Sequence, residues 1–302
     1  MRIFIGVVLT AVTATAVCAQ ERDYAPILLS LPSNTRALAM GGAFPIGSSD
    51  AAAVFYNAAM SAVAGVTLDI QRYGDEATTV SLAGGMEWWG GRIGLALQAA
   101  QYGVSAASIE DDFGESALAD GGAETVGEQV ATVSYVRRIK GLRLGVAGKV
   151  IAQRALDESA LTGAVDLSTG ITIRRVNLGL AVQNIGPRYD FLDIDLSPPL
   201  RMTLGAALSQ GIPLGPLDLM AAAALSREAD GTVVPGAGVE FGYWPISGRT
   251  FFARAGLRDP ADDEVSPWTV GAGFNGDRIT LDWAFSQFDD AGSTHRITVR
   301  WR

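Results

Sequence analysis

From Val66 to the C-terminus the chain alternates apolar residues with small or polar ones, in segments of about ten residues. In "RITLDWAFSQF", Ile279, Leu281, Trp283 and Phe285 fall on one face, with Thr280, Asp282, Ala284 and Ser286 on the other. In "LRLGVAGKVIAQ", Leu142, Leu144, Val146 and Val150 oppose Arg143, Gly145, Ala147, Lys149 and Gln153. "VNLGLAVQN" and the final "HRITVRWR" repeat the pattern. A strand turns successive side chains to opposite faces, so each segment presents one apolar face. Segments begin near Val66, Thr78, Arg92, Glu128, Leu142, Leu161, Val176, Arg201, Leu217, Val233, Thr250, Pro267, Arg278 and His295. This predicts an all-β fold, a transmembrane antiparallel β-barrel of about fourteen strands. A soluble sandwich would bury the apolar faces against a second sheet. Here Gly and Ala recur on the other face, leaving room inside a cylinder for a plug or long polar side chains.

The connections divide into two sets. Short ones follow every second strand: "WGG" near Trp89, Lys140-Gly141, Arg174-Arg175, "GIPLGP", "WPISG" and "NGD". The alternate connections are longer or more acidic, Gly74 to Ala77 being the shortest, with Val104 to Gly127, Ile185 to Leu200 and "DPADDEVS" from Asp259 among them. A tight-turn edge and a long-loop edge are what an outer-membrane barrel has, the tight turns being periplasmic. An even strand count puts both termini on the tight-turn edge. Trp88, Trp89, Tyr243, Trp244 and Trp301 fall there too, suiting the membrane interface.

The first residues explain how such a chain would reach an outer membrane. Met1-Arg2 precedes an apolar run from Ile3 to Val17 and then Cys18-Ala19. That is the pattern of a signal peptide cut after Ala19. The domain division is therefore 1–19 signal peptide, 20–65 N-terminal plug segment and 66–302 barrel. Cys18, the one cysteine, falls in the signal, so the mature chain has no disulfide or thiolate chemistry. Mean hydropathy is +0.23, yet no later stretch matches a membrane helix. A net charge of −9 argues against nucleic acid as a partner.

Other motifs have plainer readings. "GAGFNG", Gly271 to Gly276, matches G-x-G-x-x-G but is followed by a strand, so it lacks the helix a dinucleotide site needs. His295 is the only histidine and stands in the last strand without a nucleophile context. "IEDDFGE" and "DPADDEVS" lack EF-hand spacing and read as solvated outer loops. No catalytic, cofactor or metal residue is predicted, and the chain is not read as an enzyme.

One segment departs from the strand pattern: Thr35 to Gly65 is rich in Ala and Gly, carries little charge and does not alternate. "RALAMGGAF" followed by "DAAAVFYNAAMSAVAG" resembles the opening of PorV/PorQ-like proteins, within the wider group of long-chain fatty-acid transporter-like outer-membrane barrels. The matched positions include Arg36, Met40, Gly41, Gly42, Ala43, Phe44, Asp50, Tyr56 and Asn57. Ala58 stands where that family usually has proline. The resemblance implies fourteen strands with the N-terminal segment folded inside. Ser48, Ser49 or Asp50 would cap a short helix through Ala51 to Tyr56.

The resemblance implies a function in type IX protein secretion and surface attachment. Its partners would be outer-membrane lipid, secreted cargo and secretion-system components, with cargo bound by the outer loops. The alternative is transport of small hydrophobic molecules, in which the plug moves and Phe44, Phe55 and Tyr56 line a cavity. A structural or adhesive barrel is a third possibility.

Overall fold

The computed structural model describes residues 24–43, 51–61, 65–73, 77–103, 125–155, 157–259, 265–288 and 292–301. Residues 1–23 lie outside them, as do Phe44, Asp50 and the candidate caps Ser48 and Ser49. Most of the Val104–Gly127 loop, including "IEDDFGE", and residues 260–264 also lie outside.

Seventeen strands are present among the described residues: β1 Gly65–Tyr73, β2 Ala77–Trp88, β3 Gly91–Gly103, β4 Thr125–Ile139, β5 Leu142–Ala155, β6 Glu158–Ile173, β7 Val176–Ile185, β8 Tyr189–Phe191, β9 Ile194–Leu196, β10 Arg201–Leu208, β11 Ile212–Leu214, β12 Leu217–Arg227, β13 Val233–Ile246, β14 Arg249–Arg258, β15 Val265–Asn275, β16 Ile279–Phe288 and β17 Gly292–Trp301. Fourteen of them form a closed antiparallel barrel. Each pairs with its chain neighbour, β7 passes to β10 and β10 to β12, and β1 closes on β17 with Val66 opposite Trp301. Closure leaves no free sheet edge.

The predicted faces are the observed ones, and they are inside out relative to a soluble protein. Leu68, Leu82, Leu95, Leu144, Leu281 and Ile297 point outward and are exposed. Thr67, Asp69, Gln71, Lys149, Glu240, Asp282 and Arg296 point inward and are buried. Water would reward the opposite arrangement, whereas hydrocarbon outside rewards this one. His295 lies on the outer face between Trp283 and Phe285, their ring centroids 6.1 Å and 5.3 Å from its own.

Three elements depart from the sequence expectation. β6 begins at Glu158, so the link from β5 is shorter than the Gly74–Ala77 connection. Its polar start, Glu158-Ser159, lengthens the strand past the apolar band and gives no periodic signal. The Ile185–Leu200 loop contains the β8–β9 hairpin, whose Phe191 and Leu196 pack with Ala25 and Ala155. "GIPLGP" contains β11, a three-residue strand paired only with the start of β12.

The N-terminal segment fills the lumen. Its first described residue, Tyr24, sits at the long-loop edge, bridged to Ser197 and donating its hydroxyl to the Ala229 carbonyl at 2.8 Å. The segment then descends through the barrel to enter β1 at the tight-turn edge. Even strand parity thus places the ends of the barrel at that edge, but the described N-terminal segment starts at the opposite one. The segment holds helix α1 (Thr35–Ala39) and 3-10 turns at Ile27–Leu29, Ala51–Phe55 and Ala58–Met60.

Candidate functional site

The plug meets the wall in three ways, each traceable to residue type. α1 has both ends specified locally. Asn34 caps its start, with Oδ1 accepting from the Ala37 N–H at 3.0 Å. Its end is a Schellman motif: the Gly41 N–H donates to Leu38 O at 3.1 Å and the Gly42 N–H to Ala37 O at 2.8 Å. Gly41 and Gly42 have φ of +63° and +76°, the left-handed region that glycine enters without a side-chain penalty.

Gly41 has a second duty. A methyl group there would stand 2.2 Å from Leu257 O and 2.8 Å from Ala237 O. The wall reciprocates. A Cβ on Gly236 would meet Gly41 O at 2.2 Å, one on Gly256 would meet Gly41 N at 2.1 Å, and one on Gly238 would meet Met40 Cα at 2.6 Å. The plug backbone therefore lies directly on strand backbone in a socket of three inward glycines. Gly271 of "GAGFNG" extends the same seat beneath Ala39, and Gly145 serves Ala59. Gly271 and Gly145 are thus recesses for the plug, while Gly273 of the same motif makes room for Asp282 and Arg254 of the wall and Gly276 lies against Phe274.

Polar anchors form the second contact. Arg36 makes a two-pronged ion pair with Glu240, its Nε 2.8 Å from Oε2. Glu240 also holds Arg254 at 2.5 Å, Arg254 reaches Asp282 at 2.6 Å, and Asp282 holds Arg300 at 2.5 Å. The series alternates in sign from plug to wall. Next to it, Arg296 donates to Pro32 O and to Gln71, and Thr35 joins Thr298 and Asp69. At the long-loop end, Glu128 accepts from the Ile27 and Leu28 N–H groups at 3.1 and 2.8 Å. Desolvated charges are tolerable here only because each is partnered.

The third contact satisfies the plug's irregular backbone. Gln183 Nε2 donates to Phe55 O at 2.8 Å, and the Ala59 N–H donates to Ser168 Oγ at 3.0 Å. Asn57 Nδ2 reaches Thr169 O and Leu180 O, both at 3.4 Å. Asn57 precedes the 3-10 turn at Ala58, the place where proline would also start a turn. Tyr56 accepts from the Ser33 N–H at 2.5 Å, and burial pushes its phenol up to about 12.

Arg36, Met40, Gly41, Gly42, Ala43, Tyr56 and Asn57 are thus gathered in one plug, with Met40 and Ala43 fully buried. Phe44 and Asp50 lie outside the described residues. Sequence reasoning missed Asp69, Glu128, Glu240, Arg254, Asp282 and Arg296. Their signal was a charged residue at an inward position of an alternating strand.

Two spaces flank the seat. A cavity of about 70 Å³ lies inside, lined by Tyr56, Asn57, Gln183, Arg201 and Glu228 among others. Phe55 packs instead against Ala83 and Ala96. An apolar groove of about 760 Å³ lies on the outer face, formed by Leu178, Leu204, Ala223, Leu225, Ala237 and Leu257 with their neighbours. Ala224, Gly236 and Arg258 border both, and at Ala224 and Gly236 small residues thin the wall between them.

No protein-family model matches this sequence, and no curated protein does. Solved structures share its fold. The toluene transporter TodX of Pseudomonas putida superposes with a TM-score of 0.58 at 11% identity, over 93% of this chain and 98% of that one. The toluene transporter TbuX of Ralstonia pickettii gives 0.52 at 14% identity, over 89% and 97%. A TodX variant described as a monoaromatic hydrocarbon channel gives 0.57 at 13% identity, over 90% and 98%.

Proposed function

We propose that this chain is an outer-membrane channel for small hydrophobic molecules, non-enzymatic, in which the plug moves to open a path. In this reading residues 1–19 are removed on export, residues 20–65 form the plug and residues 66–302 the barrel. Arg36, Met40, Gly41, Gly42, Ala43, Tyr56 and Asn57 form its movable seat, and Phe44 and Asp50 belong to the same motif. The observation that carries the reading is the pair of spaces meeting at Ala224, Gly236 and Arg258. A greasy solute dissolved in the bilayer has an apolar groove to occupy on one side. On the other side, the seat at Gly236 is a bare backbone contact that a shift of the plug would vacate. The likeness to toluene transporters supports the same reading and makes toluene the first solute to try.

The test is uptake of labelled toluene by cells producing the chain, beside cells producing Ala223→Phe/Ala237→Phe. Both substitutions fill the outer groove without touching the plug. Uptake should rise with the wild-type chain and fall back with the filled groove. Uptake indifferent to the chain would refute the proposal.

The secretion reading keeps one observation in its favour, the plug motif's resemblance to PorV/PorQ-like proteins. Affinity capture from detergent extract checks it: secreted cargo and secretion components should copurify. Against it, part of the Ile185–Leu200 loop is committed to the barrel mouth through Phe191 and Leu196.

A further inference from the structure

The tight-turn mouth of the lumen carries cations that passage of a neutral solute leaves unused. Arg92 on β3, Arg138 on β4 and Arg143 on β5 occupy inward positions, in line with Gly94, Val136 and Gly145. Strand register sets Arg138 directly opposite Arg143. Like charges so placed repel. With Ser61, Glu87 and Trp89 these arginines line a cavity of about 520 Å³.

Charge balance sets this mouth apart from the rest of the lumen. Deeper in, Arg36 and Arg254 share Glu240, Lys149 has Asp166 at 2.8 Å, and Arg300 has Asp282 at 2.5 Å. Arg201 and Arg258 share Glu228 at 2.7 and 3.6 Å, and Arg296 has Asp69 at 3.5 Å. At the mouth Glu87 stands 3.8 Å from Arg92. Among the described residues no carboxylate lies within 4.0 Å of Arg138 or Arg143. Arg143 Nη2 reaches the Thr172 hydroxyl at 3.4 Å, while its Nε is buried with no hydrogen-bond partner. Arg138 and Arg143 stand on one face of adjoining strands and both line the cavity. An oxyanion entering it therefore meets two guanidinium groups, the side chain suited to charge-assisted bonding of such an anion.

We propose that this mouth binds the phosphate of an anionic phospholipid from the adjoining leaflet. Trp88 and Trp89 are 54% and 83% exposed on the same turn, the place aromatic residues take at headgroup depth. Arg137, Lys140, Arg174 and Arg175 are exposed at the neighbouring tight turns and continue the basic rim. Clustered arginine and lysine at a membrane surface select anionic lipid. That this leaflet is the periplasmic one rests on the outer-membrane reading above; the binding itself does not depend on transport.

The experiment places the full chain in phosphatidylcholine nanodiscs with increasing phosphatidylglycerol and counts retained lipid by native mass spectrometry. The wild type should retain phosphatidylglycerol over phosphatidylcholine. Arg138→Gln/Arg143→Gln should weaken that preference by about tenfold or more. Arg188→Gln, at the opposite edge, should keep it. Folding is checked by heat-modifiable electrophoretic mobility, and Arg138→Lys/Arg143→Lys, which keeps the charge and loses the fork, should fall between. Equal retention of the two lipids by the wild type, which needs no variant, would overturn the proposal. So would an unchanged preference in the folded double variant. Inorganic phosphate or an acidic peptide binding as tightly as the lipid would overturn the lipid assignment. Toluene uptake persisting in the Gln variant separates this site from the channel reading.

Discussion

Gly41→Ala should release the plug while leaving the barrel assembled. The alanine must hold a φ of +63°, which costs about 1–2 kcal/mol for an L-residue. Its methyl group would also stand 2.2 Å from the Leu257 carbonyl oxygen. That atom is strand backbone, so it cannot swing aside, and overpacking adds about 1–3 kcal/mol. The sum is about 2–5 kcal/mol, a shift of roughly thirtyfold or more in the docked-to-undocked ratio. The barrel's own ladder does not pass through Gly41, so the cost falls on docking. Gly42→Ala is the internal control. It carries the backbone strain at +76°, but the nearest atom to its methyl would be Arg258 Cδ at 3.9 Å. It should therefore cost only the conformational share, about 1–2 kcal/mol. Single-channel conductance in planar bilayers and amide exchange over residues 34–43 read the two out. Gly41→Ala should show frequent openings and faster exchange; Gly42→Ala should show a small change. Equal behaviour of the two variants would refute the argument that backbone contact seals the seat.

Glu240→Gln leaves Arg36 and Arg254 buried with less than their charge complement, which should cost about 3–5 kcal/mol and lower the temperature of the heat-modifiable mobility shift. Adding Arg36→Met should recover part of that loss, and a double-mutant cycle measures it. Val146→Lys, on the apolar outer face, should destabilise by about 2–4 kcal/mol in urea titrations from vesicles. Gly148→Ala, with nothing within 4 Å of the added methyl, should leave the same titration unchanged. Burial raises the Tyr56 phenol from 10.0 to about 12. Its share of docking is then complete below pH 10 and disappears as pH rises through the folded value. Conductance should rise over that alkaline window, and Tyr56→Phe should remove this phenol's part of the rise.

The electrostatic arrangement shows why site and scaffold differ in legibility. In "RITLDWAFSQF" the outward set and the inward set could be separated by position alone, because the pleat fixes facing at every second residue. Asp282 was therefore known to point inward. That it would meet Arg254 and Arg300 was not, because those contacts depend on strand register and closure. Arg36 and Glu240 are separated by 204 positions and share no local pattern. The β8–β9 hairpin escaped for a related reason: a three-residue strand is too short to show a period.

The "MGG" of the plug lies between these cases. Two adjacent glycines permit close backbone approach, which residue type alone suggests. The Schellman motif they form was not anticipated, because the sequence reading placed its helix at Ala51 to Tyr56. Which backbone Gly41 approaches appears only when Gly236, Gly238 and Gly256 are brought to it from two other strands. By itself, then, the sequence determined the barrel, its two faces and the presence of a compact small-residue segment, since these follow from periodicity and residue size within a few positions. Tertiary structure alone decided where that segment seats, which charges answer one another and which mouth is left with unanswered arginines. Those are distances between residues that only closure of the cylinder makes neighbours.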